Sequence, residues 1–494
     1  MRERDRVFWG TGYAVIATIV SLIAGILLRP LIVWFIGIGE YGAFALALAI
    51  LGIATLATDL GLGGALTKFV AEERDEERRR ELISSAIIAA VLSGFVATLV
   101  VLEISPVVGA TFRIQGIASL LAVFAWMPPF SFGANSCLAA LSGLRRMRRY
   151  GFGSAAINGL GLAIVAGVLI LGGKAADAAL AMVLAGAANL GLLLFLLRSY
   201  LRRIGIRKIA STVRRLVSFG IHLSATNAAS VLLYQIDIVL LGLLTGDSVL
   251  VGYYSIAILL ARALWIFPGS IAVVAYPAFS EYAGRQTKSR IEAFANQAIR
   301  FSASIVGFSV IGFSYFGREI LTILFGPASQ PSYVPLLILL LGAGLLGVMR
   351  SVASGIPGVG RPALGAQIAF AGLAASVSLC LALIPPFGLL GAAIATTFAY
   401  SLIALLLARF ASKLLAISVP AGWILEAIAW VLLLVSPLAL ATMASGSPLL
   451  RWCLGIASMV VFVAVLYYRL LPREDTDFVL AKVLTAIRRP KRDS

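Results

Sequence analysis

The chain has 494 residues, of which 61% are hydrophobic and only 13% charged, with 48 glycines and a formal net charge of +18. Soluble domains carry about 25% charged residues, so too little polar surface exists here to cover a water-soluble body of this size. In a membrane protein a basic excess of this kind is a question of placement along the chain, and no nucleic-acid partner is expected.

The N-terminal Met1-Arg-Glu-Arg-Asp-Arg6 leads from Val7 into an apolar run well past signal-peptide length and without an A-x-A-like cleavage site, which reads as a retained first helix. Runs long enough to cross roughly 30 Å of hydrocarbon predict spans at 8–36, 42–66, 82–104, 116–141, 152–173, 177–197, 216–244, 250–278, 292–316, 333–354, 363–385, 388–409, 422–443 and 449–470. Gly37 to Gly42, Gly172-Gly173 and Pro385-Pro386 mark tight connections between them. The three cysteines, Cys137, Cys380 and Cys453, fall far apart inside apolar runs and read as small core residues, so neither metal nor cofactor is expected.

Lys and Arg divide unevenly between alternate loops: 33 of the 40 fall on one side, four (Arg113, Lys174, Arg318 and Arg451) on the other, and Arg29, Arg262 and Arg350 lie within spans. One missed helix would scramble this division downstream. By the positive-inside rule both termini are expected on the cytoplasmic side of a cell membrane, in contact with anionic inner-leaflet lipid.

The first six predicted helices resemble the next six at an offset of roughly 207 to 212 residues. Gly39-Glu-Tyr-Gly42 matches Gly246-Asp247 with Gly252-Tyr-Tyr254, Glu72 matches Glu281, Ser142 to Arg149 matches Ser354 to Arg361, and Arg198 matches Arg409. Six helices per repeat preserve orientation, so a parallel repeat is expected. The predicted fold is an all-α polytopic membrane protein of about fourteen transmembrane helices: two pseudo-symmetric six-helix bundles, 1–197 and 216–413, joined by the basic cytoplasmic linker 198–215. A C-terminal helix pair, 414–471, and a cytoplasmic tail, 472–494, follow.

Ile38-Gly-Glu-Tyr-Gly-Ala-Phe44, then Thr58-Asp-Leu-Gly-Leu-Gly-Gly-Ala-Leu-Thr-Lys-Phe-Val-Ala-Glu72, resemble the first two helices of the polysaccharide-transporter (Wzx-type) flippases of the multidrug/oligosaccharidyl-lipid/polysaccharide superfamily. Phe316-Gly-Arg-Glu-Ile-Leu-Thr-Ile-Leu-Phe-Gly326 is similar to that family's outer stretch between helices nine and ten, and the resemblance runs over roughly residues 5–415. It implies a monomeric carrier, not an enzyme, that flips a polyprenyl-linked glycan made on the cytoplasmic face to the outer leaflet. Glycosyltransferases or a polymerase are the protein partners such a role implies.

A glycolipid of that kind presents a phosphate or pyrophosphate, and charges inside a span are functional candidates by default because they cost roughly 2.5–3.5 kcal/mol to insert. Arg29, Arg262 and Arg350 form the candidate substrate-binding set, since a planar guanidinium matches phosphate oxygens in pairs. The alternative for each is a side chain paired with a carboxylate or snorkelling to an interface. Asp237 occupies the position in its repeat that Arg29 holds in the first, and three roles compete for it: an ion-coupling carboxylate, a gating partner of Arg29, or a structural pair. Asp59, the other candidate for coupling or gating, also suits a cap on the loop that follows its helix. His222 reads as a hydrogen-bonded structural residue, and Lys68 as a topological charge or a phosphate contact at the inner surface. Arg145-Arg-Met-Arg-Arg149 suits anionic headgroups or a glycosyltransferase, although topology alone accounts for it.

Gly172-Gly-Lys174 lacks the glycine spacing and the Ser/Thr of a phosphate-binding loop, which argues against ATP-driven transport. A membrane glycosyltransferase needs outer-loop carboxylates that are scarce here. Nearer alternatives are a lipid II-type flippase and an ion-coupled multidrug exporter of the same superfamily. The exporter should hold organic cations with cavity carboxylates, whereas three arginines against two acids favour an anionic ligand.

Overall fold

A computed structural model describes residues 3–201, 206–272, 275, 279, 288–353, 355–358, 362–415, 421–438 and 448–471. Glu281, Ser354, Arg361 and the tail 472–494, which figure in the repeat and domain readings, lie outside the described residues.

Among the described residues the chain is helical throughout, with no strand. Its helices are α1 (Glu3–Ala54), α2 (Leu62–Glu72), α3 (Glu76–Phe112), α4 (Ile117–Phe124), α5 (Met127–Gly143), α6 (Met147–Ile170) and α7 (Ala175–Leu197). There follow α8 (Ile206–Thr245), α9 (Ser248–Ala263), α10 (Ile266–Ala272), α11 (Lys288–Phe325), α12 (Tyr333–Ala353), α13 (Pro362–Leu415), α14 (Ala421–Val435) and α15 (Pro448–Val465). Ten helical stretches among the described residues are long and apolar enough to cross a membrane, and the bent pair α9–α10 makes an eleventh. The protein is a multi-pass, all-helical membrane protein.

Backbone polar groups within lipid must be satisfied inside the segment that carries them, which is why helices alone cross here. Two helical runs contain a kink at a glycine. Gly37 breaks α1 at φ 81°, ψ 169°, and Gly388 breaks α13 at φ 53°, ψ −123°, just after Pro385-Pro386. Both dihedral pairs lie where a Cβ is penalised, and both fall at connections that the glycine and proline pattern marks.

Three predicted spans are interrupted. The helix expected over 42–66 ends at Ala54, passes through a 3-10 turn (Thr55–Ala57), and resumes as α2, which continues to Glu72. The helix expected over 116–141 breaks at Ala125 and Trp126, immediately before Pro128 and Pro129, which lack the amide hydrogens a continuous helix would need. The helix expected over 250–278 bends by 45° between α9 and α10. The basic linker 198–215 is also partly helical, since α8 begins at Ile206 and runs on as the next span.

The contacts divide the chain into two compact units. The first comprises Met1–Ile256, Leu324–Ser329 and Leu373–Ala392; the second comprises Ala257–Ile323, Gln330–Gly372 and Ala393–Ser494. In the first unit a core gathers Leu66, Ile83, Ala86, Cys137, Leu141, Leu193, Leu197 and Leu216, so α2, α3, α5, α7 and α8 share it. Small residues set the spacing, as they do where lipid removes the hydrophobic drive between helices: a Cβ on Gly94 would lie 2.4 Å from Pro129 Cα.

In the second unit α14, the residues just after it and α15 pack on α11 through Ile311, Tyr315, Leu434, Leu438 and Phe462. Polar contacts reinforce this seam. The Tyr315 hydroxyl donates to the Leu434 carbonyl at 2.8 Å, Arg451 forms an ion pair with Glu319, and the Trp452 indole donates to the same carboxylate at 3.0 Å. Arg469 and Glu426 join α14 to the turn after α15 at 2.6 Å.

Candidate functional site

The second unit assembles two of the predicted arginines around one indole. Arg262 lies in the last turn of α9, and Trp265 follows it across the 45° bend into α10. The guanidinium of Arg262 donates to the Tyr400 hydroxyl through Nη2 at 2.8 Å and Nε at 3.2 Å. Its Cζ lies 5.9 Å from the Trp265 ring centre, while Arg350, in the last turn of α12, brings its Cζ to 4.9 Å from that ring. Cations over an indole are attracted by its quadrupole, by roughly 0.5–2 kcal/mol as water is excluded.

The indole is itself fixed. Trp265 Nε1 donates to the Ala343 carbonyl at 2.8 Å, its ring packs against Gly347, where a Cβ would stand 3.0 Å from Cδ1, and the Tyr400 ring lies 5.5 Å away. Three helices, α9–α10, α12 and α13, therefore converge on two guanidinium groups, an indole and a phenol. Arg262, Trp265 and Arg350 are each half-buried, whereas Tyr400 is fully buried. The cluster concentrates positive charge beside aromatic rings.

Sequence reasoning named Arg262 and Arg350 but neither aromatic partner. Trp265 follows Arg262 by three residues but sits in the turn between α9 and α10, so no shared helix face points to it. Tyr400, 138 residues away, carries no local signal.

In the first unit Asp237 on α8 is fully buried. Its Oδ2 accepts the Tyr254 hydroxyl of α9 at 2.8 Å, and its Oδ1 accepts the Ile238 amide at 2.8 Å. Tyr254 is also fully buried. Arg29 sits on α1 just before the buried Pro30; it is exposed and makes no hydrogen bond or ion pair among the described residues. The sequence-level pairing of Arg29 with Asp237 is thus not made in this conformation.

Asp59 lies in the break between α1 and α2, where its Oδ1 accepts the Gly61 amide at 3.2 Å. That bond lies in the break before α2, inside the span predicted over 42–66, and not in the loop after that span where a cap is expected. Lys68 on α2 rests over the Phe219 ring at 4.3 Å. His222 belongs to α8, and its side chain lies outside the described residues.

The family model described as "polysaccharide biosynthesis protein" matches residues 7–283, more than half of the chain. An uncharacterized membrane protein of Methanocaldococcus jannaschii is 30% identical over 204 residues, a match that takes in 41% of this chain and 40% of that protein's length. The probable low-salt glycan biosynthesis flippase Agl15 of Haloferax volcanii is 25% identical over 396 residues, 77% of this chain and 78% of its own. Among solved structures, the lipid II flippase MurJ in an inward closed conformation superposes with a TM-score of 0.72 at 14% identity, covering 92% of this chain and 98% of MurJ. At that identity the likeness speaks for the fold alone. The chain belongs to the polysaccharide biosynthesis protein family.

Proposed function

We propose that this protein moves a polyprenyl-(pyro)phosphate-linked oligosaccharide from the cytoplasmic to the outer leaflet by alternating access, in the assembly of a cell-surface glycan. The observation that carries the reading is the convergence of Arg262 and Arg350 on Trp265 beside Tyr400. Guanidinium groups suit the phosphate, and the rings suit the sugar. The similarity to a probable glycan biosynthesis flippase supports the same substrate class.

The glycine kinks in α1 and α13, with the short apolar α14, support a count of fourteen spans: two six-helix bundles and a C-terminal pair. The 33-to-4 division of Lys and Arg supports cytoplasmic termini. Arg29 joins the substrate set in this reading, and Asp237 serves ion coupling or gating.

The test is flipping in proteoliposomes with a short-chain polyprenyl-pyrophosphate oligosaccharide, comparing wild type with Arg262→Ala/Arg350→Ala at equal protein. Protein-dependent flipping that falls at least tenfold in the double variant is the expected result. No flipping by wild type, together with uptake of an organic cation driven by a proton gradient, would replace this reading with the multidrug-exporter one.

A further inference from the structure

A second pair of cations gathers in the first unit, on two helices. Lys68 belongs to α2 and Arg215 to α8, yet both converge on one ring: Lys68 Nζ lies 5.8 Å from the Phe69 ring centre, and Arg215 Cζ lies 4.5 Å from it. Phe219 completes the group, edge-to-face with Phe69 at 5.7 Å and 4.3 Å from Lys68 Nζ. Both cations are exposed, and neither makes a salt bridge among the described residues; Glu72, one turn beyond Lys68, forms no pair with it.

Two like charges held near one ring repel each other, and the aromatic faces compensate only part of that. A carboxylate would ordinarily fill the gap. Position identifies what fills it instead. On α2, Lys68 stands between the apolar Leu62–Leu66 stretch and the charged run that opens at Glu72; on α8, Arg215 is followed at once by Leu216 and Val217. The charged-to-apolar passage falls at Arg215 on α8 and one turn from Lys68 on α2, the pattern of segments that meet polar lipid groups at the edge of the hydrocarbon.

We propose that Lys68 and Arg215, seated on Phe69 and Phe219, form a binding site for the phosphate of a lipid headgroup at the membrane surface. The site is separate from the arginine pair around Trp265, and its occupancy is an equilibrium property that needs no flipping. The phosphate has two sources, a polyprenyl diphosphate or an anionic phospholipid, and the two share the chemistry that the site recognises.

The full chain, purified in neutral detergent, is titrated with geranylgeranyl diphosphate and separately with short-chain phosphatidylglycerol. Wild type is compared with Lys68→Gln/Arg215→Gln, with the charge-retaining Lys68→Arg/Arg215→Lys, and with Lys174→Gln, an exposed lysine elsewhere. The neutralised pair is expected to bind roughly tenfold to thirtyfold more weakly, as two cations at about 1 kcal/mol each predict. The charge-retaining pair and Lys174→Gln should stay near wild type.

A loss confined to the diphosphate assigns the site to polyprenyl lipid, a loss confined to phosphatidylglycerol assigns it to bulk anionic lipid, and either result supports the site. Affinities within twofold of wild type for both probes overturn it. An equal loss in Lys174→Gln also overturns it, because net charge would then suffice. These outcomes are independent of whether Arg262→Ala/Arg350→Ala flips substrate.

Discussion

Gly42 and Gly252 cross so tightly that neither tolerates a side chain: a Cβ on Gly42 would lie 2.7 Å from the Gly252 nitrogen and 1.8 Å from the Ser248 carbonyl oxygen, and one on Gly252 would lie 2.4 Å from the Ile38 carbonyl. These glycines come from the two motifs that the repeat aligns, and here they are packed face to face in one unit. Gly42→Ala must push α1 and α9 apart, because the obstacle is backbone. Overpacking of this sort costs roughly 1–3 kcal/mol. The expected outcome is a lower thermal midpoint in detergent and a smaller monodisperse fraction, read by size-exclusion fluorescence. A wild-type midpoint for Gly42→Ala would show that this crossing is looser than described.

Asp59 separates capping from coupling in a simple pair of substitutions. Its Oδ1 accepts the Gly61 amide, and asparagine keeps that acceptor while removing the charge. Asp59→Asn should therefore transport near the wild-type rate, whereas Asp59→Ala should lose about 1 kcal/mol of stability. A dead but well-folded Asp59→Asn would restore the coupling role.

Tyr400→Phe removes the oxygen that two Arg262 nitrogens share and leaves the ring beside Trp265. Hydrogen bonds to charged groups contribute roughly 1.5–3 kcal/mol, so Arg262 should lose its fixed orientation without loss of fold. Initial flipping rates are expected to fall about tenfold at unchanged expression. Arg262→Lys should fare no better, since an ammonium cannot reproduce the fork.

Asp237 is buried against a buried tyrosine, so its two substitutions divide chemistry from structure. Tyr254→Phe removes one donor to the carboxylate and should cost roughly 1–3 kcal/mol of stability. Asp237→Asn keeps an acceptor for Tyr254 but removes the ionisable group. If Asp237 serves ion coupling, flipping by Asp237→Asn will not respond when proton and sodium gradients are imposed across the vesicle. A gradient response equal to wild type assigns Asp237 to structure.

Most spans were legible because an apolar run of membrane length leaves few other folds. Hydropathy marks the lipid slab, however, not the helix. Thus α8 starts at Ile206, about ten residues before the hydrophobic stretch, and its early turns place Val213 and Leu216 on the core of the first unit. The interruptions were harder to read. Pro128 and Pro129 carry an N-terminal helix signature, but the sequence around them is apolar on both sides, and Asp59 resembles any buried acid until its bond to Gly61 is seen. Arg262 and Arg350 stood out as charges in hydrocarbon. Their meeting at Trp265 depends on a bend after Ala263 and on helices far apart in the chain, which no local pattern encodes.

The Glu319–Arg451 pair also has a consequence for biogenesis. The two residues are separated by 132 positions, so when α11 enters the bilayer the partner of its carboxylate is not yet synthesised. At roughly 5–20 residues per second the ribosome needs about 7–26 s to deliver Arg451 and Trp452. During that interval Glu319 lacks its Arg451 partner, and α11 lacks the helices that will cover Ile311 and Tyr315. The second unit is therefore open to quality-control proteases and chaperones until α15 docks, and a ribosome stalled between α12 and α15 would leave a degradation-prone fragment.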